Sequence, residues 1–111
     1  MSSPPNYLRT YRKRSGLNQE DIAFLMGIPD YSNISRYEKG QRAPTTELLL
    51  TYKHLFDTPI ESFFEQESEM IRIKLIEKIK ELLVEIKKQQ ITLKNTLKIK
   101  FLEEVITKLT L

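Results

Sequence analysis

Apolar residues recur at steps of three and four along most of this chain, and no segment alternates apolar and polar positions over a strand's length. That periodicity belongs to helices, and the expected fold class is all-α. Ser2, Ser3, Pro4 and Pro5 cannot open a packed element, so residues 1–5 are read as a flexible N-terminal arm. A first helix is expected over 6–15, with Leu8 and Tyr11 inward, ended by Gly16. Asn18, with Asp21 three residues on, marks the start of a second helix reaching Met26. Gly27, Ile28 and Pro29 break it, and Asp30 can cap a third helix from Tyr31 to Lys39, closed by Gly40. Thr45 can cap a fourth helix to Phe56. Thr58, Pro59 and Glu61 read as a cap, a first-turn proline and a return carboxylate opening a fifth.

From Glu67 onward the chain has neither Gly nor Pro. Ile71, Leu75, Ile79, Leu82 and Ile86 form one amphipathic stripe. After the polar run 87–90 a less regular stripe continues through Leu93, Leu97, Phe101, Leu102, Val105, Ile106 and Leu109. Residues 67–111 are therefore an amphipathic helical extension, either one long helix or a hairpin broken near 88–95. It has three readings: dimerisation, which is favoured, folding back on its own domain, or docking another protein. The division expected is an arm over 1–5, a domain over 6–66 and the extension over 67–111.

Composition narrows the function classes. A chain of 111 residues builds one compact domain plus an appended element. With no cysteine, disulfide scaffolds and thiolate zinc sites are excluded. No apolar run is long enough for a membrane span and no secretory signal is visible, so a cytoplasmic protein with no membrane role is expected. A net charge of +3 decides nothing by itself, but Arg9, Arg12, Lys13 and Arg14 form one basic cluster and Arg36, Lys39 and Arg42 another. Residues 70–100 hold nine basic and three acidic side chains, which could add nonspecific DNA affinity. His54 is the single histidine; it makes neither a metal site nor a triad. No phosphate-cradling loop occurs. No enzyme, metal or cofactor is expected.

The run Ser15-Gly-Leu-Asn-Gln-Glu-Asp-Ile-Ala23, then Gly27, then Ile34-Ser-Arg-Tyr-Glu-Lys-Gly40, resembles the XRE family of helix-turn-helix regulators, the lambdoid phage repressors and Cro proteins. The likeness spans about residues 6–64 and implies a five-helix phage-repressor-like DNA-binding domain. Three departures stand out. Gly27 to Ile34 is seven residues where the family usually has six, and the extra one is assigned to Ile28 or Pro29. Phe24 and Leu25 occupy commonly polar positions. Asp57 stands where a glycine is common, a substitution that aspartate tolerates better than most residues.

By the family's register the third helix lies in the major groove, and Tyr31, Ser32, Asn33 and Arg36 face base edges. Arg36 can donate two parallel bonds to guanine. Asn18 and Gln19, at the start of the second helix, and Gln41 and Arg42, after the third, are the implied phosphate contacts. The resemblance assigns Arg12 and Glu38 to a structural ion pair, and it places Ile22, Ala23, Ile34, Leu49, Tyr52, Phe56 and Phe63 in the core. The function implied is a sequence-specific, double-stranded DNA-binding transcriptional regulator, and the C-terminal stripe favours a homodimer. The alternative is an antitoxin or adaptor whose C-terminal helices bind a partner protein.

Overall fold

The computed structural model describes residues 6–111, and the expected arm over 1–5 lies outside them. Every regular element among the described residues is helical. The chain divides into two compact units, Met1–Ser68 and Glu69–Leu111.

In the first unit, α1 (Leu8–Ser15) starts where the Asn6 side-chain oxygen accepts from the Leu8 N–H at 3.1 Å, and it ends at Gly16 in the left-handed region, φ 84°. The α2 helix (Gln19–Met26) opens with a reciprocal cap. Asn18 Oδ1 accepts from the Asp21 N–H at 2.8 Å, and Asp21 Oδ2 accepts from the Asn18 N–H at 2.9 Å. Gly27, φ 72°, closes it. The third helix, α3 (Ser32–Glu38), begins where Asp30 Oδ1 accepts from the Ser32 N–H at 2.9 Å. In α4 (Thr46–Phe56) the Thr45 hydroxyl accepts from the Leu48 N–H, and Asp57 takes the left-handed conformation at φ 46°.

The fifth start differs from expectation. Thr58 does not cap it. Its N–H instead donates to the Lys53 carbonyl at 3.2 Å, which makes Thr58 part of the exit from α4. The next element is a 3-10 segment, Ile60–Phe64, with no side-chain cap, running directly into the long helix α5 (Glu65–Lys87). The 3-10 segment still closes the unit, because the Phe63 carbonyl accepts from the Tyr7 N–H at 2.8 Å.

Leu8, Ile22, Ala23, Ile34, Leu48, Tyr52 and Phe63 form the core of this unit. Each of the large ones contributes about 1.5–3 kcal/mol through burial. Leu48 is wholly buried, whereas Leu49 and Phe56, assigned to the core from sequence, are only partly so. Tyr11 and Tyr52 both meet the Phe63 ring edge-on, with centroids 5.2 and 6.2 Å apart.

In the second unit the break falls at 88–92. Thr92 caps α6 (Leu93–Leu109) by accepting from the Asn95 N–H at 3.1 Å, and Asn95 Nδ2 donates to the Gln90 carbonyl at 2.9 Å. Arg72 Nη1 donates to the Leu109 carbonyl at 2.6 Å, so the C-terminus of α6 lies beside the start of this part of α5. The extension is an antiparallel helical hairpin. A cation on the last carbonyls of α6 also complements the helix dipole.

Ile79, Leu83 and Ile86 are the buried positions of α5, spaced by four and three. The stripe expected from sequence is therefore split: Leu83 replaces Leu82 in the seam, and Ile71, Leu75 and Leu82 stay exposed. Leu82 and Leu83 stand about 100° apart around the helix, on either side of the line through Ile79 and Ile86, and packing selected Leu83.

Candidate nucleic-acid interface

Packing of Ile34 with Ile22 in the core turns one face of α3 inward. Tyr31, Ser32, Asn33 and Arg36 are all exposed on the other. At the last residue of α3 lies a buried polar cluster. Glu38 Oε2 accepts from Arg12 Nε at 2.8 Å and from the Tyr52 hydroxyl at 2.7 Å. Its Oε1 accepts from Arg12 Nη2 and from Gln19 Nε2, both at 3.0 Å. Arg12 Nη1 also donates to the Leu17 carbonyl at 3.0 Å. One carboxylate thus joins α1, α2, α3 and α4, and among the described residues no buried side-chain nitrogen or oxygen lacks a partner. The Arg12–Glu38 pair suggested by the sequence is present. Gln19 and Tyr52 are additional members, and the signal for Tyr52 was its core position, since a buried phenol needs an acceptor.

Burial by itself would push the Glu38 carboxyl up, but the bonds from Arg12, Gln19 and Tyr52 outweigh it and hold the group below the ordinary carboxylate range. Burial and the bond to Glu38 push the Tyr52 phenol well above its usual value. A depressed carboxyl pKa adds stability above the unfolded value of 4.5 and loses it as pH falls through the folded value. The domain should therefore keep its melting temperature from pH 7 down to about 5 and lose it below 4.5, and Glu38→Gln should flatten that acid limb in a melting series.

The residues assigned to phosphate fall in different places. Asn18 spends its side-chain oxygen on capping α2. Gln19 gives one amide hydrogen to Glu38 and retains a second for an outside acceptor. Both line a cleft of about 410 Å³ bordered by Arg9, Tyr31 and Lys39. Arg9 and Lys39 were not singled out from sequence beyond their basic clusters, although Arg9, three residues before Arg12, shares its helix face. Gln41 and Arg42 are exposed past the end of α3, but Arg42 turns back: its Nη1 donates to Asn33 Oδ1 at 3.1 Å. The Ser32 hydroxyl donates to Asp30 Oδ2 at 2.7 Å. Bonds from the Ser32 hydroxyl and N–H, with Arg36 nearby, keep the Asp30 carboxyl below its usual range. An ionised carboxylate at the head of α3 disfavours phosphate there and can accept from a cytosine amino group.

No helix among the described residues is long and apolar enough to cross a membrane. A short helix joined to a second by a tight turn, with a polar exposed first turn and a cleft beside it that carries Arg9, Lys39 and Glu20, defines a helix-turn-helix domain. The model of the helix-turn-helix family matches residues 8–63, about half of the chain, which belongs to that family in its XRE branch. No curated protein and no solved structure matches it.

Proposed function

We propose that this protein is a sequence-specific, double-stranded DNA-binding transcriptional regulator that acts in the cytoplasm as a homodimer. The observation that carries the reading is the exposed first turn of α3, a helix whose last residue, Glu38, ties it to α1, α2 and α4. Tyr31, Ser32, Asn33 and Arg36 face the major groove. Gln19 takes a backbone phosphate with its second amide hydrogen, at the N-terminal end of α2 where Asn18 fixes the cap. Gln41 and Arg42 approach the DNA from beyond α3. Arg9 and Lys39, on the rim of the cleft, add positive charge for the same strand.

The hairpin supports self-association. Ile71, Leu75 and Leu82 on α5, and Leu93, Leu97 and Phe101 on α6, are each between 43% and 78% exposed. Six such side chains supply roughly half of the 800 Å² per partner that a stable dimer buries, with their neighbours able to add the rest. Two of the lysines near them are paired locally, Lys78 with Glu81 and Lys88 with Glu85.

Binding to duplex DNA should fall at least tenfold between about 50 and 200 mM salt, because cationic contacts release condensed counterions. Fluorescence anisotropy with a random-sequence duplex measures it. Salt-independent binding, or none, would remove the DNA reading.

A further inference from the structure

Asn33 Oδ1 accepts from two guanidiniums at once, Arg36 Nη1 at 3.4 Å and Arg42 Nη1 at 3.1 Å. Arg36 sits on the same helix as Asn33, but Arg42 arrives from the loop. Gly40, at φ 73°, ends the helix with the Gln41 N–H donating to the Arg36 carbonyl at 2.9 Å, and the Arg42 side chain reaches back from there to Asn33. Two exposed cations repel at short range, and the shared amide oxygen offsets that repulsion while fixing both on the recognition face.

We infer that Arg36 and Arg42 together read two guanines at neighbouring base pairs, with Asn33 as the residue that positions both. The inference rests on the DNA-binding reading above and deepens it. Each guanidinium fork matches guanine O6 and N7. Successive base pairs are about 3.4 Å apart along the axis, so two guanidiniums sharing one acceptor oxygen suit adjacent or next-adjacent pairs. Asn33 itself lacks the acceptor that a two-bond contact to adenine needs, because its oxygen is occupied by the arginines. It acts through them. Arg42 thereby moves from a backbone contact to a reader of sequence.

The test is selection of bound duplexes from a random pool by the full chain and by Arg36→Ala, Arg42→Ala and Asn33→Ala. The wild-type motif should contain two guanines no more than one pair apart in each half-site. Arg36→Ala should lose preference at one of them and Arg42→Ala at the other, each by roughly five- to hundredfold. Asn33→Ala should weaken preference at both guanines together while leaving the melting temperature unchanged, a paired loss that neither a uniform phosphate contact nor a separate base contact produces. The inference is overturned if Arg42→Ala weakens all duplexes alike and lowers the salt slope by about one, the mark of a phosphate contact. A wild-type motif without paired guanines, or Asn33→Ala losing a separate adenine, overturns it as well while leaving the DNA reading intact. Failure of the wild type to bind any duplex overturns both.

Discussion

Glu38→Ala should destabilise the helix-turn-helix domain by about 3–5 kcal/mol, because it strands the buried Arg12 guanidinium and removes the acceptor of Tyr52 and Gln19 together. Arg12→Ala should cost a similar amount by leaving Glu38 without its cation. The two losses should not add. Replacing both residues by apolar ones of like size, Arg12→Met with Glu38→Leu, removes the unpaired charge and should recover a substantial part of the stability. Denaturant melts of the two alanine variants, the double alanine variant and the apolar pair give the coupling directly. Strict additivity would mean that the two side chains do not act as a unit. DNA binding by folded Glu38 variants should also weaken, since α3 is tied to α1, α2 and α4 through this carboxylate.

The second large effect concerns assembly. The full chain should sediment as a dimer, and the pair Leu75→Glu with Leu82→Glu should sediment as a monomer with unchanged helix content. Both residues are exposed in the single chain, at 43% and 48%, so the hairpin itself tolerates charge there. The variant should lose on the order of a hundredfold or more in affinity for an operator carrying two half-sites, because linked half-site binding gains that much from effective concentration. On a single half-site its affinity should be close to that of the wild type. A monomeric wild type would assign the exposed apolar residues to some other partner, and a dimer surviving both substitutions would place the interface elsewhere in the chain.

The features legible in the sequence were those made by interactions within one helical turn. Asn18 with Asp21, Thr45 with the Leu48 N–H, and the glycines at 16, 27 and 40 determine where helices start and stop through bonds spanning two to four residues, so reading the chain in order finds them. The family motif added the Arg12–Glu38 pair, whose members are far apart in sequence but stand at fixed positions of the motif.

Tertiary structure decided the rest, in each case because more than one residue met the local rule. Leu48 and Leu49 both lie within a turn of Tyr52, and only packing selected Leu48 for the core. Leu82 and Leu83 both fit an amphipathic face, and the narrow seam of a two-helix contact took Leu83. Thr58 carried the composition of a cap, yet the left-handed turn at Asp57 drew its N–H to the end of α4. The addition of Tyr52 and Gln19 to the Glu38 cluster, and the return of Arg42 to Asn33, are bonds between residues nine to nineteen positions apart. Periodicity and capping rules describe one element at a time, whereas such contacts depend on how separate elements come to lie against one another.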